Sequence, residues 1–233
     1  MYKRVLLKLS GEALSGHGNN FDPEVLSSLA LELKEIQEMG VQLAIVVGGG
    51  NFIRGKMAET MGIERVQADH MGMLATIINA LAVQSALEQV DVPTRVQTAV
   101  EINRVAEPFI VRKAVRHLEK GRVVIFGGGT GSPYFSTDTT AVLRAAEIEA
   151  EVIMMAKSID GVYTADPKKD PTAVRLDETT YDYILTNKLG VIDLPAASLA
   201  TDCNLPLYLF GLDKAENILK VIRGEKMGTI VHV

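Results

Sequence analysis

The sequence contains few of the residues that build disulfides, metal centres or nucleic-acid interfaces. Its single cysteine, Cys203, has no partner for an internal disulfide, and its four histidines do not have the spacing of metal ligands. With 24 Lys and Arg against 29 Asp and Glu, the net charge is −5, which disfavours general binding to a nucleic-acid backbone. We therefore expect no disulfide, no His/Cys metal site and no nucleic-acid partner, and we expect the protein to be cytoplasmic.

Long apolar runs are also absent. The first four residues are followed by a short run that Lys8 interrupts, so no signal peptide is expected, and no apolar stretch reaches the length of a membrane span. No repeat, low-complexity tract or linker divides the 233 residues, of which 47% are hydrophobic. This composition predicts a single domain over residues 1–233, with a full hydrophobic core and no membrane partner.

Strand-like and helix-like segments alternate along the chain, which predicts an α/β fold with a mostly parallel sheet and crossover helices. Asp22 and Pro23 predict the start of a helix that Gly40 ends. A longer helix is predicted over about 67–90, and its apolar surface is too wide for burial on one side, so we expect a subunit interface there. The other predicted strands are 5–7, 42–47, 94–97, 123–126, 152–156, 207–210 and 229–233, and the other predicted helices are 110–120, 139–149, 195–202 and 215–223.

Three apolar runs each end in a turn that contains glycine. These turns are residues 8–11 (KLSG), 48–51 (GGGN) and 127–131 (GGGTG). Glycine lets backbone N–H groups approach an anion closely, and a helix that begins behind such a turn adds partial positive charge. Two cations, Lys8 and Arg54, lie on or beside the turns. The pattern indicates a site for more than one phosphate group, as phosphoryl transfer requires.

Two common nucleotide-binding motifs do not fit this chain. Residues 50–56 have the glycine and lysine spacing of a Walker A loop, but Met57 stands where a Ser or Thr would bind magnesium. The Rossmann fingerprint fails because Ile53 and Tyr134 occupy the positions of its third glycine. The glycine turns therefore indicate a kinase of another type.

Five segments together resemble the bacterial uridylate kinases, a group within the amino-acid kinase family. They are 8–12 (KLSGE), 48–51 with Arg54, 69–74 (DHMGML), 129–138 (GTGSPYFSTD) and 160–167 (DGVYTADP). The similarity runs in matching order from residue 2 to the C-terminus. It implies a three-layer α/β sandwich with a mostly parallel central sheet, and transfer of the ATP γ-phosphoryl group to UMP in pyrimidine nucleotide biosynthesis. It also implies Mg²⁺ brought by ATP without a protein metal cage, a homohexamer, activation by GTP and inhibition by UTP.

The resemblance assigns catalytic roles to Lys8, Arg54, Asp138 and Asp193. Lys8 and Arg54 would neutralise phosphate charge, although a solvated strand end and a loop cation are the plainer interpretations. Asp138 would lie near the reacting centre, and Asp193 would orient Lys8. For Asp138 a helix cap is an equally good interpretation, and a helix cap is also the alternative for Asp193, because each stands at the start of a predicted helix.

By the same resemblance, ATP would be held by Lys8, Leu9, Ser10, Gly11, Gly50, Arg54, Lys157, Tyr163 and Asp166. Asp166 would bind the ATP ribose, but an Asp-Pro pair is also a common turn. The segment 156–160 differs in order or length from the family versions, which leaves Lys157 open as an adenine contact.

UMP would be held by Gly49, Asp69, Thr130, Gly131, Ser132, Pro133, Tyr134, Phe135, Ser136 and Thr137. Asp69 would accept hydrogen bonds from the UMP ribose, and its alternative role is to cap the long helix. Three residues of that helix, Gln84, Ser85 and Glu88, stand where basic side chains would be expected if GTP were held as in some relatives.

Two other functions remain to be weighed. A kinase of this fold for an amino acid, carbamate or isopentenyl phosphate would keep Lys8 and the glycine turns but lack the pattern of Asp69 and 130–138. A non-catalytic nucleotide or oxyanion storage protein would bind ATP without turnover, and the presence of both Lys8 and Arg54 argues against it.

Overall fold

The computed structural model describes residues 2–16, 19–53 and 60–233. Within them, nine strands form one sheet in the order β4-β3-β5-β2-β1-β6-β10-β11-β9, and β7 and β8 form a separate antiparallel ribbon. The strands are β1 (Arg4–Leu9), β2 (Gln42–Val47), β3 (Thr94–Thr98), β4 (Glu107–Pro108), β5 (Val123–Gly127), β6 (Val152–Lys157), β7 (Val162–Tyr163), β8 (Arg175–Leu176), β9 (Glu178–Thr180), β10 (Leu207–Gly211) and β11 (Thr229–His232). Among the strand pairs that these residues form in the large sheet, only β10–β11 is antiparallel.

Helices cover both faces of the sheet. They are α1 (Pro23–Glu38), α2 (Arg65–Gln89), α3 (Val111–Glu119), α4 (Thr137–Glu147), α5 (Tyr181–Thr186), α6 (Leu194–Asp202) and α7 (Glu216–Ile222), with a 3₁₀ turn at Gly11–Leu14. Along β1, Val5, Leu7 and Leu9 point into a core shared with α1, α2 and α7, while Leu6 points into a core shared with α3 to α6. The predicted three-layer α/β sandwich is confirmed.

The predicted boundaries are confirmed to within a few residues. The Asp22 side chain caps α1 by accepting hydrogen bonds from Glu24 N at 2.9 Å and Val25 N at 3.3 Å, and Gly40 follows the helix with φ +82°. The sequence does not predict α5, the 3₁₀ turn or the strands β4, β7, β8 and β9. These strands have two or three residues each, too few to show a period.

The helix α2 corrects the expectation that no apolar stretch reaches the length of a membrane span. Its 25 residues include a window with mean hydropathy 1.3, so by length and composition it would be long enough to cross a membrane. In this fold α2 packs against α1, β3 and β5, and its side chains Ala80, Val83 and Leu87 lie in the core. Burial against the sheet accounts for part of its apolar composition, as for other core helices, while Met71, Leu74 and Ile78 remain exposed.

Candidate active site

The three glycine turns meet at one edge of the sheet. Strands β5, β2, β1 and β6 are neighbours and parallel, so their carboxyl ends lie side by side. In open α/β sheets this edge is where ligands bind. The turn after β1 carries Ser10 and Gly11, the turn after β2 carries residues 48–51, and the turn after β5 carries residues 128–131. The expected cluster of phosphate-binding turns is therefore assembled at one place.

Close approach between the turns requires glycine at two positions. A Cβ on Gly11 would lie 2.5 Å from Asn51 Oδ1 and 2.7 Å from Gly50 N, and a Cβ on Gly49 would lie 2.8 Å from Gly72 O. All three distances are too short for a side chain, so the turn after β2 fits between the turn after β1 and helix α2 only if Gly11 and Gly49 have no Cβ. Leu9 is fully buried, and its carbonyl accepts a hydrogen bond from Gly48 N at 2.9 Å.

A charged cluster lies beside these turns, formed by Lys8, Asp138 and Lys157. Lys8 Nζ is 2.9 Å from Asp138 Oδ1, and Lys157 Nζ is 2.7 Å from Asp138 Oδ2 and also donates to the carbonyl of Val191. Lys8 is only 7% exposed, so it is not a solvated strand end. Asp138 thus lies between two ammonium groups, and Asp193 is a further carboxylate whose charge acts on Lys157.

The environment fixes the protonation of this cluster. Burial alone would raise the pKa of Asp138, but the charges and hydrogen bonds of Lys8 and Lys157 outweigh burial and hold that pKa below its ordinary value. Burial lowers the pKa of Lys157, with Lys8 acting in the same direction and Asp138 opposing both. Asp138 is therefore ionised at neutral pH and a weak base.

The two alternatives for Asp138 are separated by the geometry of α4. The cap of this helix is Ser136, whose Oγ accepts hydrogen bonds from Asp138 N at 3.0 Å and Thr139 N at 3.1 Å. The side chain of Asp138 faces the two lysines instead. The interpretation of Asp138 as the helix cap is wrong, and its place near Lys8 agrees with the role that the resemblance assigned.

Asp193 caps α6 and does not hold Lys8 directly. Its Oδ1 accepts hydrogen bonds from Ala196 N at 2.8 Å and Thr139 Oγ1 at 3.0 Å, and its Oδ2 accepts one from Ser136 Oγ. The residue that contacts Lys8 is Asp138. Asp193 instead fastens the start of α4, and so acts on Asp138 through the helix that carries it.

Lys157 belongs to the charged cluster. The sequence predicted Lys157 as a possible adenine contact and did not predict its contact with Asp138. Lys157 is the last residue of β6, and β6 pairs with β1 in parallel so that Leu9 lies opposite Ala156. Lys157 therefore emerges at the same edge as Lys8. A lysine at the end of a buried strand was the available signal, but its meaning depends on knowing that β1 and β6 are neighbours.

A pocket next to the cluster contains much of the predicted acceptor site. Its lining includes the predicted residues Gly49, Asp69, Thr130, Ser132, Phe135 and Thr137, together with Gly50, Ile53, Ala68, Gly72, Met73, Thr76 and Gly129. The other predicted acceptor residues, Gly131, Pro133, Tyr134 and Ser136, lie on the same segment. The sequence thus predicted one wall of this pocket, and it missed the wall formed by α2 beyond Asp69.

Asp69 lies inside α2, so the interpretation of Asp69 as its cap is wrong; the cap position is Glu64. The carboxylate joins α2 to the segment 130–137, because Asp69 Oδ2 accepts a hydrogen bond from Tyr134 N at 2.8 Å. Arg65 Nε lies 3.0 Å from Asp69 Oδ1 and 2.9 Å from Oδ2, and the Arg65 guanidinium lies over the Tyr134 ring at 5.5 Å. These contacts hold the carboxylate at the pocket wall.

The remaining predicted donor residues lie in a separate group of contacts. The Tyr163 hydroxyl donates to Asp160 Oδ1 at 2.9 Å, and Asp166 accepts hydrogen bonds from Lys168 N, Lys169 N and Asp170 N, as expected of a turn residue. A cleft beside them is lined by Asp160, Arg175, Gly211, Asp213, Lys214, Glu216, Asn217, Lys220, Lys226, Met227 and Gly228. Arg54 lies outside the described residues.

Comparison with known proteins decides the family. The sequence model described as "Amino acid kinase family" matches residues 3–211, which is most of the chain. The chain belongs to the amino acid kinase family. Two curated members, each named uridylate kinase, are 58% identical over 233 residues, and each match covers 99% of this chain and 97% of the relative. They come from Pediococcus pentosaceus and Limosilactobacillus reuteri.

Solved structures of the family have the same fold. A UMP kinase from Bacillus anthracis superposes with a TM-score of 0.95 at 42% identity, covering 99% of this chain and 96% of the other. A UMP kinase from Ureaplasma parvum gives 0.94 at 37% identity, with both chains fully covered. A uridylate kinase from Archaeoglobus fulgidus gives 0.77 at 32% identity, covering 99% and 100%. The predicted resemblance and the amino acid kinase fold are confirmed, and the chain is a phosphotransferase of this family.

Proposed function

We propose that this kinase transfers the γ-phosphoryl group of ATP to UMP. The observation that carries the proposal is the pocket that contains Asp69 and the segment 129–137, directly beside the glycine turns. The names of the relatives at 58% identity support UMP as the acceptor. Asp69 supplies carboxylate oxygens at the pocket wall, where they are suited to accept hydrogen bonds from ribose hydroxyl groups.

The charged cluster is suited to stabilise the transferring group. Phosphoryl transfer depends mainly on positioning and on neutralising charge that spreads over the equatorial oxygens. Lys8 and Lys157 supply two ammonium groups at the ends of β1 and β6, and Asp138 holds both in place. The acceptor oxygen belongs to a phosphate that is already ionised near neutral pH, so no general base is needed. A weakly basic Asp138 agrees with this chemistry.

We propose that Mg²⁺ enters with ATP and is held by phosphate oxygens and water. Both oxygens of Asp138 already contact ammonium groups, so this carboxylate does not suit a magnesium ligand. Within residues 2–16, 19–53 and 60–233, no group of three or more His, Cys, Asp or Glu side chains is arranged to hold a metal ion. The metal would supply charge neutralisation on the triphosphate.

We also propose a homohexamer with contacts through α2. Met71, Leu74 and Ile78 follow helical spacing on α2 and are 39%, 51% and 46% exposed. Large apolar side chains in such a row are typical of a surface that another subunit covers. The resemblance supports six subunits.

We propose a cytoplasmic enzyme of pyrimidine nucleotide biosynthesis, activated by GTP and inhibited by UTP. The single cysteine and the resemblance support these points. Gln84 donates to Glu88 at 3.2 Å on α2, and neither residue is basic, so the GTP contacts would differ from those of relatives that use basic side chains there.

A coupled ADP-release assay tests the proposed acceptor. UMP, CMP, dTMP, glutamate and carbamate are each supplied with ATP and Mg²⁺, and we expect rapid turnover with UMP alone. Rapid turnover with another acceptor would show that this kinase phosphorylates that acceptor instead of UMP. ATP binding without ADP release for any acceptor would favour the storage protein.

A further inference from the structure

Two buried polar side chains of α2 contact two different glycine turns. Thr76 is 3% exposed and Asn79 is fully buried, although the rest of the buried face of this helix is largely apolar. A buried polar group in an apolar helix is costly unless it is hydrogen-bonded. Both side chains have hydrogen bonds to backbone or to other side chains, and in each case a partner belongs to a turn at the active-site edge.

Thr76 fastens the turn after β5. Its Oγ1 donates to Met73 O at 2.7 Å and accepts a hydrogen bond from Gly128 N at 2.8 Å. The one hydroxyl donor is thereby used, and the buried N–H of Gly128 is satisfied. The next residues of this turn, Gly129 and Thr130, line the acceptor pocket. The position of this pocket wall therefore depends on the Thr76 hydroxyl.

Asn79 fastens the turn after β2. Its Nδ2 donates to Gly48 O at 2.6 Å and to Asn51 Oδ1 at 2.7 Å, and its Oδ1 accepts from Asn51 Nδ2 at 3.0 Å. The two ends of the turn at 48–51 are thus held by one amide. The same turn lies against Gly11, in the turn after the strand that carries Lys8, so its position sets the distance from the acceptor pocket to the charged cluster.

We propose that Thr76 and Asn79 are positioning residues that fix the two glycine turns on α2 for in-line transfer. The inference rests on the proposed transfer from ATP to UMP, and assigns the two residues different effects. Thr76 sets the acceptor wall, so its loss raises the KM for UMP. Asn79 sets the alignment of the turn with Lys8, so its loss lowers kcat.

Substitutions that keep or remove the hydroxyl test Thr76. Thr76→Val preserves shape but leaves Gly128 N without its partner, and we expect about a tenfold rise in KM for UMP with an unchanged KM for ATP. Thr76→Ser keeps the hydroxyl and should restore most of the wild-type KM. Thr94→Val is the matched control, because Thr94 is fully buried and donates to Val92 O at 3.0 Å at the start of β3, the opposite end of that strand from the turns.

Asn79 is tested by Asn79→Ala and by Asn51→Ala. The second variant removes the partner from the less buried side and keeps the test valid if the first does not fold. We expect a fall in kcat of about tenfold or more in each. The double variant should lose less than the product of the two single losses, because both substitutions remove the Asn79–Asn51 contact, although Asn79 also donates to Gly48 O and Asn51 also donates to Asn20 O. An unchanged kcat in folded Asn79→Ala would overturn the assigned role of Asn79. If that variant does not fold, an unchanged kcat in folded Asn51→Ala would overturn the part of this role that acts through Asn51.

The outcomes separate this inference from the proposed function. A wild-type protein that does not phosphorylate UMP refutes the proposed function before any variant is compared. If the wild type is active and Thr76→Val changes kcat and both KM values no differently from Thr94→Val, the proposed function stands and the positioning role of Thr76 is refuted. Circular dichroism and thermal melts establish that each variant is folded.

Discussion

Removal of Lys157 separates catalysis from stability in this protein. Lys157→Met takes away one of two ammonium groups on Asp138 but leaves the contact between Lys8 and Asp138 at 2.9 Å. No buried charge loses its last partner, so we expect a loss of stability below the ~3–5 kcal/mol typical of breaking a buried pair. Loss of one positioned cation at the transferring group should lower kcat by about 10²–10³-fold.

The pH dependence gives a second readout of the same variant. The wild-type pKa of Asp138 is lowered because the charges of Lys8 and Lys157 outweigh burial. Without Lys157 the burial effect remains and one opposing charge is gone, so the pKa of Asp138 rises. Protonation of Asp138 would release Lys8, and the acidic limb of kcat should therefore move to higher pH than in the wild type.

Steady-state kinetics with ATP and UMP between acidic and neutral pH measures both effects. Lys34→Met is a matched control, because Lys34 is a partly exposed lysine on α1 that pairs with Glu38 at 3.9 Å and lies outside the site. We expect wild-type kinetics for the control. A folded Lys157→Met protein with near wild-type kcat would refute the role of the charged cluster in transfer.

Three further predictions follow from named contacts. Asp69→Asn replaces one acceptor oxygen with a donor, so it should raise the KM for UMP and leave the KM for ATP constant. The ratio of kcat/KM for UMP to kcat/KM for dUMP should fall. An unchanged ratio would refute the contact with the UMP ribose and leave Asp69 with only its contacts to Tyr134 and Arg65. Ile78→Asp places a charge among the exposed apolar side chains of α2 and should reduce the particle mass measured by light scattering. A wild-type protein that is monomeric at micromolar concentration would contradict the proposed hexamer. Because the pKa of Asp138 is lowered, its ionised form stabilises the fold above the ordinary value of 3.8, and this stabilisation is lost as the pH falls through the lowered pKa. Chemical denaturation at several pH values should therefore show a smaller loss of unfolding free energy on acidification in Asp138→Asn than in the wild type. An equal loss in both proteins would contradict the pairing of Asp138 with the lysines.

Local patterns were sufficient for most of the fold. Strands such as β2 and β5 are apolar runs that end at a glycine turn. The sequence also shows where α1 begins and ends, because Asp22 is its N-cap and Gly40 follows its last turn. Short elements such as β4 and β7 are held by pairing with neighbouring strands, so two residues show no pattern of their own. The sequence therefore predicts long, periodic elements and misses short ones.

The site was harder to predict because its contacts join distant parts of the chain. The segment from Thr130 to Thr137 was predicted to hold UMP because its contiguous sequence resembles that of the uridylate kinases, and part of it lines the acceptor pocket. The place of Lys157 depends on β6 lying next to β1, and the roles of Thr76 and Asn79 depend on which face of α2 meets the turns. Choosing between Ser136 and Asp138 as a helix cap also required the geometry, because both side chains suit a cap.

The central claim is that the carboxyl edge of the sheet transfers phosphate from ATP to UMP, and ³¹P NMR of the reaction tests it directly. With wild-type protein, ATP, Mg²⁺ and UMP, we expect the signals of UDP to appear at the same rate as those of ADP. Lys8→Ala should form UDP on the order of 10²–10³ times more slowly. ADP release without UDP, or an undiminished rate in folded Lys8→Ala, would contradict the account.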